Sequence, residues 1–214
     1  MLTADELDDY AAALATLGRF HRQAPDENTL SAFGELLEEW PVPVGEASSA
    51  GLAHLRTSFA EAESAYQIRG DLNRLYGVSA VARVAPYESV HRDRDGLVFD
   101  QQTLLVREAY RQLSLQVPRL NREPDDHIGV EVDFLAQCLL RALDALDAGQ
   151  DQQVLTYLNL AREFLAEHLN QWGPDMLAEA TEAAETEFMR GVCQLTIGTL
   201  DSFTAALEDL PAAS

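Results

Sequence analysis

The chain has 214 residues, 47% of them hydrophobic, enough for one sizeable core or for one domain and a small second one, and too apolar for a disordered chain. Its 36 acids against 15 bases give a formal net charge of −21, and every base is arginine. That balance argues against binding nucleic acid or an anionic membrane, both of which need cationic side chains, and favours a basic partner. No apolar run approaches the roughly 20 residues that span a bilayer, so no stable membrane insertion is expected.

The first ten residues carry four acids and no base, the reverse of a secretory signal, so a cytoplasmic location is expected. Leu7, Tyr10, Leu14 and Leu17 then predict a first helix, because apolar residues three and four apart share one helical face. Leu30, Phe33, Leu36, Leu37 and Trp40 predict a second, stopped by Pro41 and Pro43. Ala53 to Tyr76 reads as a third helical stretch, with Leu55, Phe59, Tyr66 and Leu75 as its apolar residues. From 77 to 100 the periodicity breaks into a long loop, packed down by Tyr87, Val90, Leu97, Val98 and Phe99; Glu88 within it reads as a solvated charge. Helix resumes near Gln101 with Leu104, Leu105, Tyr110 and Leu113.

A polar stretch bracketed by Pro118 and Pro124 is the candidate hinge, over residues 118–126. Ile128, Val132, Leu135, Leu139, Leu143 and Leu146 then mark a clean helical face, with Asp125 or Asp126 as its natural N-cap and Gly149 at its end. Another helix carries Leu155, Leu158, Phe164, Leu165 and Leu169. After Trp172-Gly-Pro174 a last long helix or helix pair runs from about Met176 to Leu207. No segment alternates as a sheet requires, and none repeats. The expected fold is an all-α helical bundle. Its N-terminal part is 1–117 and its C-terminal part 127–214, and the two are able to pack as one unit. Cys138 and Cys193 lie in helical segments without metal-site spacing and read as buried thiols.

Two segments carry a family resemblance. One is Leu75-Tyr76-Gly77 followed by Ala85-Pro86-Tyr87-Glu88-Ser89-Val90. The other runs Glu123-Pro124-Asp125-Asp126-His127-Ile128-Gly129-Val130-Glu131 and on to Phe134-Leu135. In order, spacing and helical context they resemble the TorD/DmsD/NarJ group of redox-enzyme maturation chaperones. The chain departs from that pattern at Ala85, where a second proline is common, and at Leu72 and Tyr87, where tryptophan occurs. The resemblance implies a TorD-like helical bundle, monomeric or homodimeric, that is not an enzyme and carries no cofactor. It implies binding of the twin-arginine leader peptide and of the apo-form of a molybdopterin oxidoreductase of the DMSO reductase type. Export would then wait for cofactor insertion.

The residues have chemistry suited to such a ligand. A twin-arginine leader presents two guanidinium groups and then an apolar stretch. Carboxylates bind the first best and a hydrophobic groove the second. Glu123, Asp125, Asp126 and Glu131 supply the carboxylates; Leu72, Leu75, Tyr76, Pro86 and Tyr87 supply the apolar wall; His127 sits in the first turn of the following helix. Asp125 and Asp126 serve equally well as helix caps, and the tyrosines as core aromatics. His127 and Glu131, spaced i,i+4 with Asp126 beside them, describe a metal triad on paper. But His21, His54, His91 and His168 are scattered singly, so no metal is expected. No GxSxG, P-loop or GxGxxG occurs. The competing readings are a metal-dependent helical hydrolase built on His127 and Glu131, and a structural adaptor.

Overall fold

The computed structural model describes residues 2–77, 81–92, 101–115, 124–208 and 210–211. Over these, ten α-helices appear in chain order: α1 (Ala4–Arg22), α2 (Glu27–Leu36), α3 (Glu46–Ala60), α4 (Ala65–Leu75), α5 (Glu88–Arg92), α6 (Gln101–Gln112), α7 (Ile128–Asp147), α8 (Asp151–Glu167), α9 (Gly173–Ala183) and α10 (Glu187–Leu207). Short 3-10 turns at Leu37–Glu39 and Leu169–Gln171 extend α2 and α8. The all-α expectation holds: among the described residues the only β pairing is an isolated antiparallel bridge between Tyr87 and His127.

Local chemistry sets the helix ends. Thr3 with Glu6, and Ser64 with Gln67, form capping boxes that open α1 and α4, and Asp26 caps α2 through the Thr29 amide at 2.8 Å. Gly149, at φ 68°, closes α7 where a side chain would be strained. The single stretch expected over Ala53–Tyr76 is two helices: α3 starts earlier, at Glu46, and Ala62 at φ 55° turns the chain into α4. At the other end of the chain, α10 starts on borrowed carboxylates. Asp71 accepts from the Glu185 and Thr186 amides at 2.9 and 2.7 Å, and Glu63 from those of Glu187 and Phe188 at 2.8 and 2.9 Å.

Two helix crossings join residues before the polar stretch to residues after it. α1 lies against α7 and α3 against α10. The first is tight because both helices present glycine: a Cβ on Gly18 would sit 2.8 Å from the Gly129 carbonyl, and one on Gly129 2.6 Å from the Gly18 carbonyl. The second is equally close at Gly51, where a Cβ would meet the Leu195 amide at 2.5 Å. The core so formed is shared by both parts of the chain: Phe20 and Phe33 pack edge-on against Phe188, and Tyr110 stacks beside Phe134 and Phe164. Cys138 and Cys193 are free thiols buried in α7 and α10. Residues 118–123 of the expected hinge lie outside the described residues; Pro124, Asp125 and Asp126 are buried against the bundle.

Candidate functional site

The site forms where two helices start against each other. After α4 the chain returns along its end, the Arg83 and Val84 amides each donating to the Leu75 carbonyl at 3.0 Å. Residues 86–88 then pair with 126–128: the Ile128 amide donates to the Pro86 carbonyl at 2.8 Å, and the Glu88 amide to the Asp126 carbonyl at 2.9 Å. Each helix start, α5 and α7, thereby satisfies one of the other's orphan backbone groups. This bridge brings together residues some forty positions apart in sequence. The Tyr87 and His127 rings lie edge to face at 5.4 Å, and Tyr76 and His127 at 6.0 Å.

The aspartates do not cap α7. That cap is His127, whose Nδ1 accepts the Gly129 amide at 3.0 Å. The reason lies in where the carboxylates turn. Asp126, fully buried, accepts from the Ser89 amide at 2.8 Å and the Thr103 hydroxyl at 2.9 Å, tying α5 and α6 to the start of α7. Asp125, also buried, accepts from Arg107 Nε at 2.6 Å while its carbonyl accepts from Tyr110 at 3.0 Å, fixing α6 a second time. Because His127 Nδ1 accepts a proton donor, the ring is neutral. Its burial, and then the Arg22 guanidinium, push its pKa down to about 3.

Glu131 points the other way, into the interior. One of its oxygens accepts the Trp172 indole N–H at 3.3 Å and the other has no protein partner. Burial, with Glu88 and Asp126 as negative neighbours, raises its pKa well above the ordinary carboxylate range. Glu88 is not the solvated charge its loop position suggested. It is fully buried, paired with Arg92 and with His168 at 2.9 Å. Four carboxylates, of Glu88, Asp125, Asp126 and Glu131, are therefore buried around two guanidinium groups, of Arg92 and Arg107.

Tyr76 backs this arrangement from the core through a chain of hydrogen bonds with one consistent direction. Thr196 donates to the Val192 carbonyl at 2.7 Å, so it accepts from His21 Nε2 at 2.9 Å. His21 Nδ1 then accepts the Tyr76 hydroxyl at 2.8 Å, and Tyr76 accepts from the Cys193 thiol at 3.9 Å. Burial, and His127 nearby, hold His21 down at about 3.

Of the residues expected from sequence, Leu72, Leu75, Tyr76, Pro86, Asp125, Asp126 and Glu131 are buried, whereas Tyr87 and His127 are half-buried. Glu123 lies outside the described residues. The metal pairing of His127 with Glu131 is not assembled, since one caps a helix and the other faces Trp172. Among the described residues no group of three His, Cys, Asp or Glu is placed to bind a metal. Thr103 and Arg107 escaped the sequence analysis, since both lie on α6 with only the charge of Arg107 to suggest them; Glu88 was read as solvated and His168 as one of several scattered histidines.

Residues 43–178 match the family model described as nitrate reductase delta subunit. Over 112 residues the chain is 33% identical to the chaperone protein TorD of Aeromonas salmonicida, covering 52% of this chain and 47% of that one. It is 26% identical over 214 residues to the Tat proofreading chaperone DmsD of Salmonella typhi, covering 97% and 95%. It is also 33% identical over 112 residues to the chlorate reductase assembly chaperone protein of Ideonella dechloratans, covering 52% and 54%. The chain thus spans about half the length of two of these relatives and nearly all of the third.

Proposed function

The chain belongs to the nitrate reductase delta subunit family, and from that premise we propose that it is a non-enzymatic maturation chaperone for a molybdopterin oxidoreductase of the DMSO reductase type. On this reading it works in the cytoplasm as a monomer or homodimer. It binds the client's twin-arginine leader and apo-form and delays export until the cofactor is inserted. The described helices include none long and apolar enough to cross a membrane, and the relatives named above are chaperones.

The observation that carries the reading is the bridge between Tyr87 and His127. It presents an aromatic strip, backed by Leu72, Leu75, Tyr76 and Pro86, on top of an excess of buried negative charge. An apolar leader segment contacts the strip, and its guanidinium groups answer the charge of Asp125, Asp126 and Glu123, while Glu131, whose burial opposes its ionisation, offers a hydrogen-bond acceptor. Because the described carboxylates are buried and already engaged, they act largely by positioning the strip and by their field. In a low dielectric that field reaches farther than it would in water.

Calorimetric titration with a synthetic twin-arginine leader tests this. In Asp126→Asn the side-chain oxygen still accepts the Ser89 amide and the new amide donates to Thr103, so melting changes little. Loss of the charge weakens leader binding by about tenfold. Tyr87→Ala weakens it comparably, through lost aromatic contact. A leader with lysines in place of the arginines binds less well to the wild type, because lysine cannot make the paired bonds of guanidinium. Equal binding by wild type and both variants would remove the site.

A further inference from the structure

A second recessed surface lies between the loop after α2, the start of α1 and the end of α10. Two cavities of about 350 and 330 Å³ adjoin there and share Pro43 and Ser202 in their lining. Its wall is stiff. Pro41 and Pro43 fix the backbone on either side of Val42, which is buried and anchors the segment, while Val44 stands half exposed. Its floor is pinned, because the Tyr10 hydroxyl lies 2.7 Å from Ser202 Oγ. Leu2, Ala205 and Ala206 add apolar surface at one end. At the other end the N-cap of α3 is Gly45, which has no side chain to cap the first amides of the helix.

The charges on the rim have one sign. Glu6, Asp9, Glu46 and Asp201 line the groove with no base among the lining residues. Glu6 is taken by the Thr3 capping box, but Asp9, Glu46 and Asp201 make no side-chain hydrogen bond or ion pair with the described residues. A small anion would find amides but also repulsion. A bare polycation would leave the apolar wall wet. The ligand that satisfies all three features has carbonyl oxygens for the α3 amides, cationic side chains for the carboxylates and apolar ones for the proline-bordered wall. We propose that this groove docks an extended segment of a partner protein in which arginine alternates with apolar residues, so that successive side chains serve opposite sides of the groove. This goes beyond the leader reading and does not depend on it.

Amide NMR of the full chain, titrated with a short peptide of alternating arginine and leucine, tests the proposal. The expected result is saturable shifts at Glu46, Ala47, Asp201 and Ser202. The combined variant Asp9→Asn, Glu46→Gln, Asp201→Asn binds about tenfold more weakly, since each exposed pair contributes modestly and the contributions add. It binds the twin-arginine leader as the wild type does, so failure here is separable from failure at the hinge. Peptides with glutamate for arginine, or serine for leucine, shift these resonances far less. The proposal is overturned if shifts spread evenly over the acidic surface or if the triple variant binds as well as wild type. It is equally overturned if the same resonances move with protein concentration alone, which would make the occupant a second copy of the chain.

Discussion

Glu131 is the residue with the most to lose from ionising. Fully buried, with one oxygen unpartnered and Glu88 and Asp126 close by, it has a folded-state pKa raised above its unfolded value of about 4.3. The folded state therefore holds this proton more tightly than the unfolded one. The stability it contributes is complete below the unfolded pKa and is lost as pH rises toward the folded one. Glu131→Gln keeps the Trp172 contact and cannot ionise. Its melting temperature should exceed the wild type's by a margin that widens as pH is raised from about 4 to 8. Parallel melting profiles would mean that Glu131 is ionised and compensated. His21 and His127, held near 3, work in the opposite sense: each costs stability as pH falls from its unfolded value toward 3. At this scale Tyr76, Pro86, Tyr87, Asp126 and His127 were named from the sequence because two short motifs carry the family resemblance. It could not show that Asp126 serves α5 and α6 rather than its own helix. The Ser89 amide and Thr103 hydroxyl that claim it are brought there by tertiary packing alone.

The α1–α7 crossing sets the geometry of the aromatic strip, because α7 carries His127 at its start and Gly129 on the contact face. Gly18→Ala would place a methyl 2.8 Å from the Gly129 carbonyl, so the helices must part. Thermal melting should show a loss of about 1–3 kcal/mol, the usual range for overpacking, despite alanine's better helix propensity. Gly70→Ala is the matched contrast. Its Cβ would meet only the Arg74 side chain at 3.7 Å, so alanine should stabilise α4 by about 0.5–1 kcal/mol. Equal effects at both positions would show that the close approach is not limiting. Most of these helices were legible, since a repeat of apolar residues survives any tertiary context. The division between α3 and α4 was not read, because Ala62 adopts a left-handed conformation with no glycine to announce it. The signal available was the Ser64–Gln67 capping box. α5 was hidden for another reason: five residues are too few to display a period.

For the molecule as a whole, 36 acids against 15 arginines leave a net charge of −21, and the ion pairs on the open surface, such as Arg56 with Glu38, Arg74 with Glu185 and Arg111 with Glu108, are individually weak. Self-repulsion of this size opposes the compact state. Added sodium chloride should raise the melting temperature from low ionic strength to about the physiological range, where the Debye length falls to about 8 Å. The same addition should weaken capture of any arginine-bearing ligand, so folding and binding respond to salt with opposite signs. A melting temperature insensitive to salt would show that the acids are spaced widely enough not to interact. Net charge was available from composition. Its inward share was not, because four of the acids are buried beside the bridge.

The two thiols acquire a use from where they lie. Cys138 is sealed within α7 and Cys193 within α10, and burial pushes the Cys193 thiol up to about 12 and that of Cys138 higher still. Only the thiolate attacks an electrophile, so in the closed molecule both sulfurs are chemically silent. Any alkylation records an excursion in which the surrounding helix has lifted away. Cys193 carries the further restraint of its bond to Tyr76, at the rear of the aromatic strip. The chain thus holds two internal clocks, one in α7 and one in α10, and the ratio of their rates measures how independently these two helices lift.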